Sequence, residues 1–361
     1  MSQDITQFDA NMLVPKAKDG LAWYDIAALR VEGRGWRDVK SHYDRLPARA
    51  EGRVTPSVWH LCQHSAGLGV RFVTDATSLS AHWTLRFDSL AMDHMPATGC
   101  SGLDLYVHHE GRWRWLGVGR GPQFPESRGQ LAANLTPVTP PDTRMYQLYL
   151  PLYNGVTQVE IGLPPEAKIA PMPRRAGKPI CIYGTSIVQG GCASRPGLAY
   201  PAILGRRLDR EVYNLGFSGS GRAEPEIADL LAELDPAIFV IDCLPNMSPD
   251  VGHALNTDRM EYLVRALRQA RPDTPIVVVE NIVYQDQFLD QSRYQSYVDR
   301  NAAWHAAHER LRAQGIINLH VVAGEQLLGE DGEATVDGTH PNDLGFLRLA
   351  QVLEPVLRQL L

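Results

Sequence analysis

The sequence predicts a two-domain chain: an N-terminal β-sandwich over 1–172, then an α/β domain over 177–361 with a parallel sheet flanked by helices. Three observations predict this fold class. The 361 residues suffice for two domains. Short alternating apolar runs fill the first half, and buried apolar runs alternate with helical patterns in the second. Hydrophobic residues make up 44% and charged residues 21%, so each domain can bury a core.

The first half alternates apolar and polar residues over short stretches separated by Gly, Pro, Asn and Asp. Such stretches occupy 80–90, 103–119, 145–156 and 157–164. Within the second, two alternating runs flank HEG, which predicts a hairpin. Few amphipathic helices accompany these strands, so the pattern favours a sandwich. The Pro-, Ala- and base-rich stretch 166–179 is predicted to connect the domains.

The second half reads as a series of βαβ units, because continuous apolar runs alternate with amphipathic patterns. The predicted strands are 179–184, 211–217, 237–244, 275–282 and 317–322. The predicted helices are 199–209, 224–234, 257–270, 292–313 and 342–360. Ligands of open parallel sheets bind outside the carboxyl ends of the strands. We therefore expect the chemistry immediately after each of these strands.

Charge and composition exclude several classes of protein. The net charge of −6 argues against a nucleic-acid partner, which would leave a basic footprint. No apolar run is long enough to span a membrane, and the polar, acidic N-terminus does not resemble a secretory signal, so a cytoplasmic enzyme is expected. Five cysteines without a C-x-x-C pair predict buried free thiols rather than disulfides or structural zinc.

Two segments far apart in sequence carry the residues of a nucleophilic site. Ser186 follows the first strand of the α/β domain on a sharp turn before a helix. A serine hydroxyl needs a base within hydrogen-bond reach, and His340 with Asp337 three residues before it could supply base and orienting acid. The competing interpretations are a helix-capping Ser186 and a surface helix start at 337–342 with a capping Asp.

Two further strand ends could provide donors to an oxyanion. Gly216 lies in the glycine-rich turn after the second strand, and Asn246 follows the third. A flexible turn and a turn-forming Asn are the alternatives. Each signal is weak alone, but all occur at carboxyl ends of one predicted sheet, which favours catalysis.

In the four short segments around Ser186, Gly216, Asn246 and His340, the second half resembles the GDSL/SGNH hydrolase superfamily. The resemblance covers about half the chain. The matching residues are Ser186, Gly216, Asn246 and His340, with Asp337 in the D-x-x-H block. The resemblance implies a flavodoxin-like SGNH domain, a Ser186–His340–Asp337 triad and an oxyanion hole formed by Ser186 N–H, Gly216 N–H and Asn246 Nδ2. Two positions depart from the pattern: Thr185 replaces the usual Asp, and Met247 replaces the acid after Asn246.

The stretch SGLDLY at 101–106 is similar to the G-x-D-L-Y motif of an N-terminal β-domain found beside such hydrolases. Together the two halves resemble two-domain bacterial acylesterases associated with carbohydrate deacetylation. The resemblance implies a serine esterase acting on short acyl esters, foremost acetyl esters of a carbohydrate or other small molecule, with no cofactor and no metal. An acyl thioesterase and a carbohydrate-binding protein with a vestigial hydrolase domain stay open, as does a homo-oligomer.

The remaining candidates are side chains that could shape a substrate site. Glu280, at a strand end, is a candidate for contact with substrate, with support of a loop as the leading alternative. Trp113 and Trp115 share a face of the predicted hairpin, and core packing is favoured over stacking on a sugar. The histidines of the first half complete no metal-ligand spacing.

Overall fold

The structure, a computed structural model, describes residues 16–138, 142–247 and 252–361. The chain divides into two compact units, which are described separately. The first comprises Met1–Arg45, Gln63–Arg174 and Arg195–Gly197; the second comprises Leu46–Cys62, Arg175–Ser194 and Leu198–Leu361. The sequence pattern places the division between 172 and 177 but gives no sign that two short segments belong to the other unit. Local periodicity reports secondary structure, not which unit a segment packs in.

The first unit consists of two antiparallel sheets. One has the strand order β1-β2-β10-β5-β8; the other has the order β11-β4-β9-β6-β7, with β3 paired to β4. The strands are β1 (Lys16–Lys18), β2 (Leu21–Asp25), β3 (Val31–Glu32), β4 (Gly69–Thr74), β5 (Leu79–Leu85), β6 (Asp104–His109), β7 (Arg112–Val118), β8 (Glu126–Ala132), β9 (Arg144–Tyr149), β10 (Val156–Leu163) and β11 (Ile169–Pro171). The predicted hairpin is β6–β7, paired from Asp104↔Val118 to His109↔Arg112.

Side chains from both sheets form one hydrophobic core, as in a β-sandwich. Trp83 of β5 and Leu105 of β6 are fully buried in it, together with Tyr146 and Ile161. The indole of Trp83 donates to the Ser101 carbonyl oxygen at 3.0 Å, which satisfies its one polar atom. The fold class predicted for this half, a β-sandwich, is confirmed.

The hairpin tryptophans do not fill this core, contrary to the favoured interpretation. Trp115 is 49% exposed, and its Nε1 donates to Asp104 Oδ1 at 3.0 Å. Asp104 is fully buried, and its Oδ2 accepts from Arg195 at 2.9 Å and from Gly197 N–H at 2.8 Å. The acid of the G-x-D-L-Y motif thus holds the Arg195–Gly197 segment within the first unit. Alternation alone gave the correct face of the hairpin but not whether that face is covered.

The second unit has a five-stranded parallel sheet of order β13-β12-β14-β15-β16. In chain order this is the flavodoxin-like arrangement 2-1-3-4-5, which confirms the predicted fold class. The strands are β12 (Ile180–Gly184), β13 (Val212–Gly216), β14 (Ile238–Asp242), β15 (Ile276–Val279) and β16 (Leu319–Val322). Every residue of β12, β14 and β15 is buried, as expected for strands covered on both faces.

Helices and short turns complete the two units. The α-helices are α1 (Pro56–Cys62), α2 (Ala97–Cys100), α3 (Ser186–Gln189), α4 (Tyr200–Leu208), α5 (Pro225–Ala232), α6 (Gly252–Ala270), α7 (Gln291–Ala313) and α8 (Asp343–Leu360). Single 3₁₀ turns cover Ile26–Leu29, Ala48–Ala50, Pro196–Leu198, Leu244–Asn246 and Gly324–Gln326. Within the described ranges, no helix combines the length and the apolar character that a bilayer crossing requires.

Candidate active site

Ser186 lies where the order of the parallel sheet reverses. The central strand β12 pairs with β13 on one side and with β14 on the other, and Ser186 begins α3 directly beyond it. Ligands of open α/β sheets bind in the crevice at this switch point. Thr185, in place of the usual Asp, caps the helix: its Oγ1 accepts from Ile187 N–H at 3.2 Å. The capping function therefore falls to Thr185, and Ser186 is left as the candidate nucleophile.

His340 and Ser186 are 154 residues apart in sequence but within hydrogen-bond distance in the fold. His340 Nε2 lies 3.0 Å from Ser186 Oγ. The other ring nitrogen, Nδ1, lies 2.7 Å from Asp337 Oδ2. Because an ionised carboxylate can only accept, Nδ1 carries the proton and Nε2 is left to accept from the serine hydroxyl. Ser186 is 7% exposed, so this contact is formed in a nearly buried position.

The turn from Asp337 to His340 is fixed by its own hydrogen bonds. Asp337 Oδ1 accepts from the backbone N–H groups of Thr339 and His340, at 3.0 and 2.7 Å. Gly338 adopts φ +82°, and a Cβ there would lie 2.9 Å from Asp286 Oδ2. The left-handed backbone favours glycine at this point of the turn, and any larger side chain would also displace the Asp286 carboxylate.

The electrostatic setting keeps Asp337 ionised and a neighbouring thiol neutral. Partial burial would raise the pKa of Asp337, but hydrogen bonds from the His340 backbone and ring outweigh it and lower that pKa to about 2. Cys192, which is buried, has its pKa raised to about 12 by burial and by the Asp337 charge. At neutral pH the charged acid beside His340 is therefore Asp337.

The two predicted oxyanion donors occupy adjoining loops. The Asn246 amide satisfies its surroundings when Oδ1 accepts from Ser220 N–H at 3.2 Å and from Gly221 N–H at 3.3 Å. In that orientation Nδ2 is turned away from these backbone donors. Asn246 thereby joins the loop after β14 to the glycine-rich loop after β13.

The backbone N–H of Gly216 already has an acceptor inside the second unit. The N–H donates to Asn214 Oδ1 at 3.0 Å, and a Cβ at Gly216 would lie 2.1 Å from the Gln189 nitrogen. This glycine instead permits the close approach of α3 to β13. Three positions later Gly219 is exposed, with φ +66° and open space around its Cα. Sequence spacing did not distinguish the two glycines, because both lie in one glycine-rich turn.

Glu280 follows β15 and is held by contacts inside the second unit. It is 8% exposed; Oε1 lies 2.5 Å from His305 Nε2, and Oε2 accepts from Gly324 N–H at 3.2 Å. These contacts connect the strand end to α7 and to the loop after β16. Contact of Glu280 with a substrate stays a prediction.

Comparison with known proteins fits both units. The profile of the GDSL-like Lipase/Acylhydrolase family matches residues 177–358, and that of the GxDLY domain, described as the N-terminus of SGNH-hydrolase-type esterases, matches residues 21–169. The chain belongs to the GDSL-like lipase/acylhydrolase family. As a member of this family it is a carboxylic ester hydrolase. No curated protein matches it significantly.

Solved structures extend the family likeness over both units. A crystal structure described as a GDSL-like lipase from Bacteroides ovatus is 34% identical, covers 94% of this chain and 98% of its own, and has a TM-score of 0.87. A salicylyl-acyltransferase from a tetracycline biosynthetic pathway shares the fold at 17% identity, with 96% of each chain covered and a TM-score of 0.71. An acetyl xylan esterase from Butyrivibrio proteoclasticus does so at 12% identity, with 94% and 98% covered and a TM-score of 0.57.

Proposed function

We propose that this member of the GDSL-like family is a serine esterase that hydrolyses short acyl esters, foremost acetyl esters of a carbohydrate or another small molecule. The observation that carries the proposal is the 3.0 Å contact between His340 Nε2 and Ser186 Oγ, with Asp337 on the far side of the imidazole. A nucleophile, a base and an orienting acid in this order support acyl transfer through a covalent intermediate.

The reaction proceeds in two steps. His340 Nε2 takes the hydroxyl proton as Ser186 Oγ attacks the ester carbonyl carbon, and a tetrahedral oxyanion forms. The intermediate collapses when the carbon–oxygen bond to the leaving group breaks, and His340 returns its proton to the departing alcohol. Water then attacks the acyl-enzyme by the same route, and the carboxylic acid leaves.

The oxyanion requires donors that are in place before the reaction begins. The first is the backbone N–H of Ser186 itself, at the start of α3 and in the same residue as the attacking hydroxyl. The second is Asn246 Nδ2, whose orientation is set by Ser220 and Gly221. In place of Gly216, whose N–H already has an acceptor, the exposed Gly219 is the proposed third donor. Each such donor is typically worth about 3 kcal/mol in the transition state.

The proposal of a carbohydrate ester rests on the solved structures that share the fold of this chain. Carbohydrate esterases share its fold, among them a family two carbohydrate esterase from Clostridium thermocellum solved with cellohexaose, at 16% identity, a TM-score of 0.55, and 81% and 91% of the two chains covered. The salicylyl-acyltransferase shares this fold and, by its name, transfers an acyl group. Hydrolysis rates on acetyl and octanoyl esters would show which acyl-chain length the enzyme prefers. Rates on an acetyl thioester would separate the acetylesterase from the thioesterase.

The triad is tested by Ser186→Ala, with Ser292→Ala on the exposed start of α7 as control. Hydrolysis of p-nitrophenyl acetate should fall by about 10³-fold or more in the first variant and stay unchanged in the second. A fluorophosphonate probe should label the wild-type chain at Ser186 and leave Ser186→Ala unlabelled. Full activity of Ser186→Ala would refute the assignment, and absence of labelling in the wild type would favour the vestigial, sugar-binding alternative.

A further inference from the structure

An aromatic side chain near the start of α7 lies between two arginines. Tyr284 is 7% exposed, and the guanidinium carbons of Arg293 and Arg300 lie 5.4 and 5.9 Å from its ring centroid. The two arginines are seven residues apart on α7, two helical turns, so they project from the same face. We call Tyr284, Arg293 and Arg300 the Tyr284 cluster.

One arm of the cluster reaches the turn that carries His340. Arg293 donates to Thr339 Oγ1 at 2.9 Å and forms an ion pair with Asp286 at 3.2 Å. The neighbouring Gln285 reinforces this contact, since its backbone N–H donates to the Gly338 carbonyl oxygen at 2.9 Å. The side chain of Gln285 also accepts from Thr335 Oγ1 at 2.8 Å. The Asp337–His340 turn is therefore tied from outside as well as by its own hydrogen bonds.

The other arm reaches the loop that carries Asn246. Arg300 Nε donates to the Met247 carbonyl oxygen at 2.9 Å, one residue beyond Asn246. The same guanidinium donates to the Tyr284 hydroxyl at 2.5 Å, and that hydroxyl lies 3.4 Å from Asn281 Oδ1. A guanidinium held at both ends in this way has little freedom to shift.

We propose that the Tyr284 cluster sets the spacing between the general base and the oxyanion donor. Arg293 and Arg300 are positioning residues: each touches a loop that bears a catalytic group, and the shared tyrosine ring couples the two loops. This inference rests on the proposed function, because it assigns His340 and Asn246 their catalytic roles. Neither arginine needs to contact the substrate.

The test combines kinetics with hydrogen–deuterium exchange on Arg293→Gln, Arg300→Gln and the control Arg312→Gln. Arg312 lies on the same helix, is 63% exposed and pairs only loosely with Glu309 at 3.7 Å. For each of the first two variants, kcat for p-nitrophenyl acetate should fall about tenfold or more, with KM changed less than threefold, since small misplacement of catalytic groups costs rate rather than binding. Arg312→Gln should match the wild type.

Exchange locates the disturbance independently of activity. Arg293→Gln should speed exchange in 335–342, and Arg300→Gln in 243–247. Tyr284→Leu should speed both, whereas Tyr284→Phe, which keeps the ring, should disturb them less. If a Gln variant does not fold, the corresponding Lys variant gives the same comparison with a smaller expected effect.

The outcomes distinguish a failure of the positioning role from a failure of the proposed triad. Unchanged exchange in both loops overturns the positioning role, whether or not kcat falls. Faster exchange with kcat within twofold of wild type also overturns it. If Ser186→Ala keeps full activity, the triad is wrong, and the exchange data still report whether the cluster holds the loops.

Discussion

Asp337 and His340 are joined twice, since one carboxylate oxygen accepts from the His340 backbone N–H at 2.7 Å and the other lies 2.7 Å from the imidazole Nδ1. The hydrogen bond to the backbone N–H fixes the position of the His340 main chain, and the hydrogen bond to Nδ1 fixes the orientation of the imidazole ring. Nε2 is thereby aimed at Ser186 Oγ by a single side chain three residues away. This double contact explains why so short a segment can carry both acid and base.

The first prediction separates these two contacts. Asp337→Asn keeps an oxygen for the backbone N–H but can place an amide N–H against Nδ1, which favours the wrong imidazole tautomer. We expect kcat to fall by about 10³–10⁴-fold, as for triads of this type, with a small change in melting temperature. Steady-state kinetics and calorimetry measure the two effects. Asp299→Asn, a partly exposed acid on α7 that accepts from Gln295, is the control, and a loss of less than tenfold for Asp337→Asn would contradict the orienting role.

The second prediction concerns the oxyanion. Asn246→Ala removes the amide donor and should lower kcat by about 10²-fold while KM changes little, because the interaction forms mainly in the transition state. Asn246→Asp should be at least as impaired, since a carboxylate cannot donate. The matched control is Asn318→Ala, whose amide donates to the Asp273 carbonyl oxygen away from the catalytic loops. A rise in KM with kcat unchanged would point instead to a role in ground-state binding.

The third prediction concerns a buried acid at the end of β14. Burial raises the pKa of Asp242 to about 7, although the Tyr200 hydroxyl, 2.9 Å from Oδ2, opposes the shift. Because this folded-state pKa lies above the ordinary value, the proton stabilises the folded chain most at pH below about 4. That stabilisation is lost as the pH rises from about 4 to 7.

Asp242→Asn cannot ionise, so its stability relative to wild type should increase across that pH range. A gain of about 1–3 kcal/mol at pH 8 over pH 4 is expected, measured by urea unfolding at both values. A stability difference independent of pH would mean that Asp242 titrates alike in the folded and unfolded chains.

The fourth prediction concerns the thiols. All five cysteines are buried and free, and burial raises the pKa of Cys181 and Cys192, that of Cys192 to about 12. Because the thiolate is the reactive form, the native chain should resist iodoacetamide at pH 8, and all five thiols should react after denaturation. Mass spectrometry of labelled peptides gives the count. Rapid labelling of Cys192 in the native chain, with loss of activity, would contradict the neutral thiol inferred beside Asp337.

Sequence pattern predicted the parallel sheet because its strands are buried on both faces and so leave continuous apolar runs. The predicted helix 292–313 corresponds to α7, Gln291–Ala313, and the predicted strand 179–184 to β12, Ile180–Gly184. The burial of individual side chains was harder to predict. Trp115 occupies an alternating position typical of a core residue, yet it is half exposed. Alternation identifies the face of a strand, whereas cover depends on what packs there.

The sequence alone predicted which residues would form the candidate site. Ser186, Asn246 and His340 were each predicted to follow an element of one parallel sheet, and the carboxyl ends of its strands share an edge. Only the tertiary structure decided which glycine N–H has an acceptor, since Gly216 and Gly219 differ in what faces them rather than in residue type. It alone also brought Arg293 and Arg300 to loops about fifty residues away in sequence. Such contacts leave no local period, because they depend on how separate elements pack.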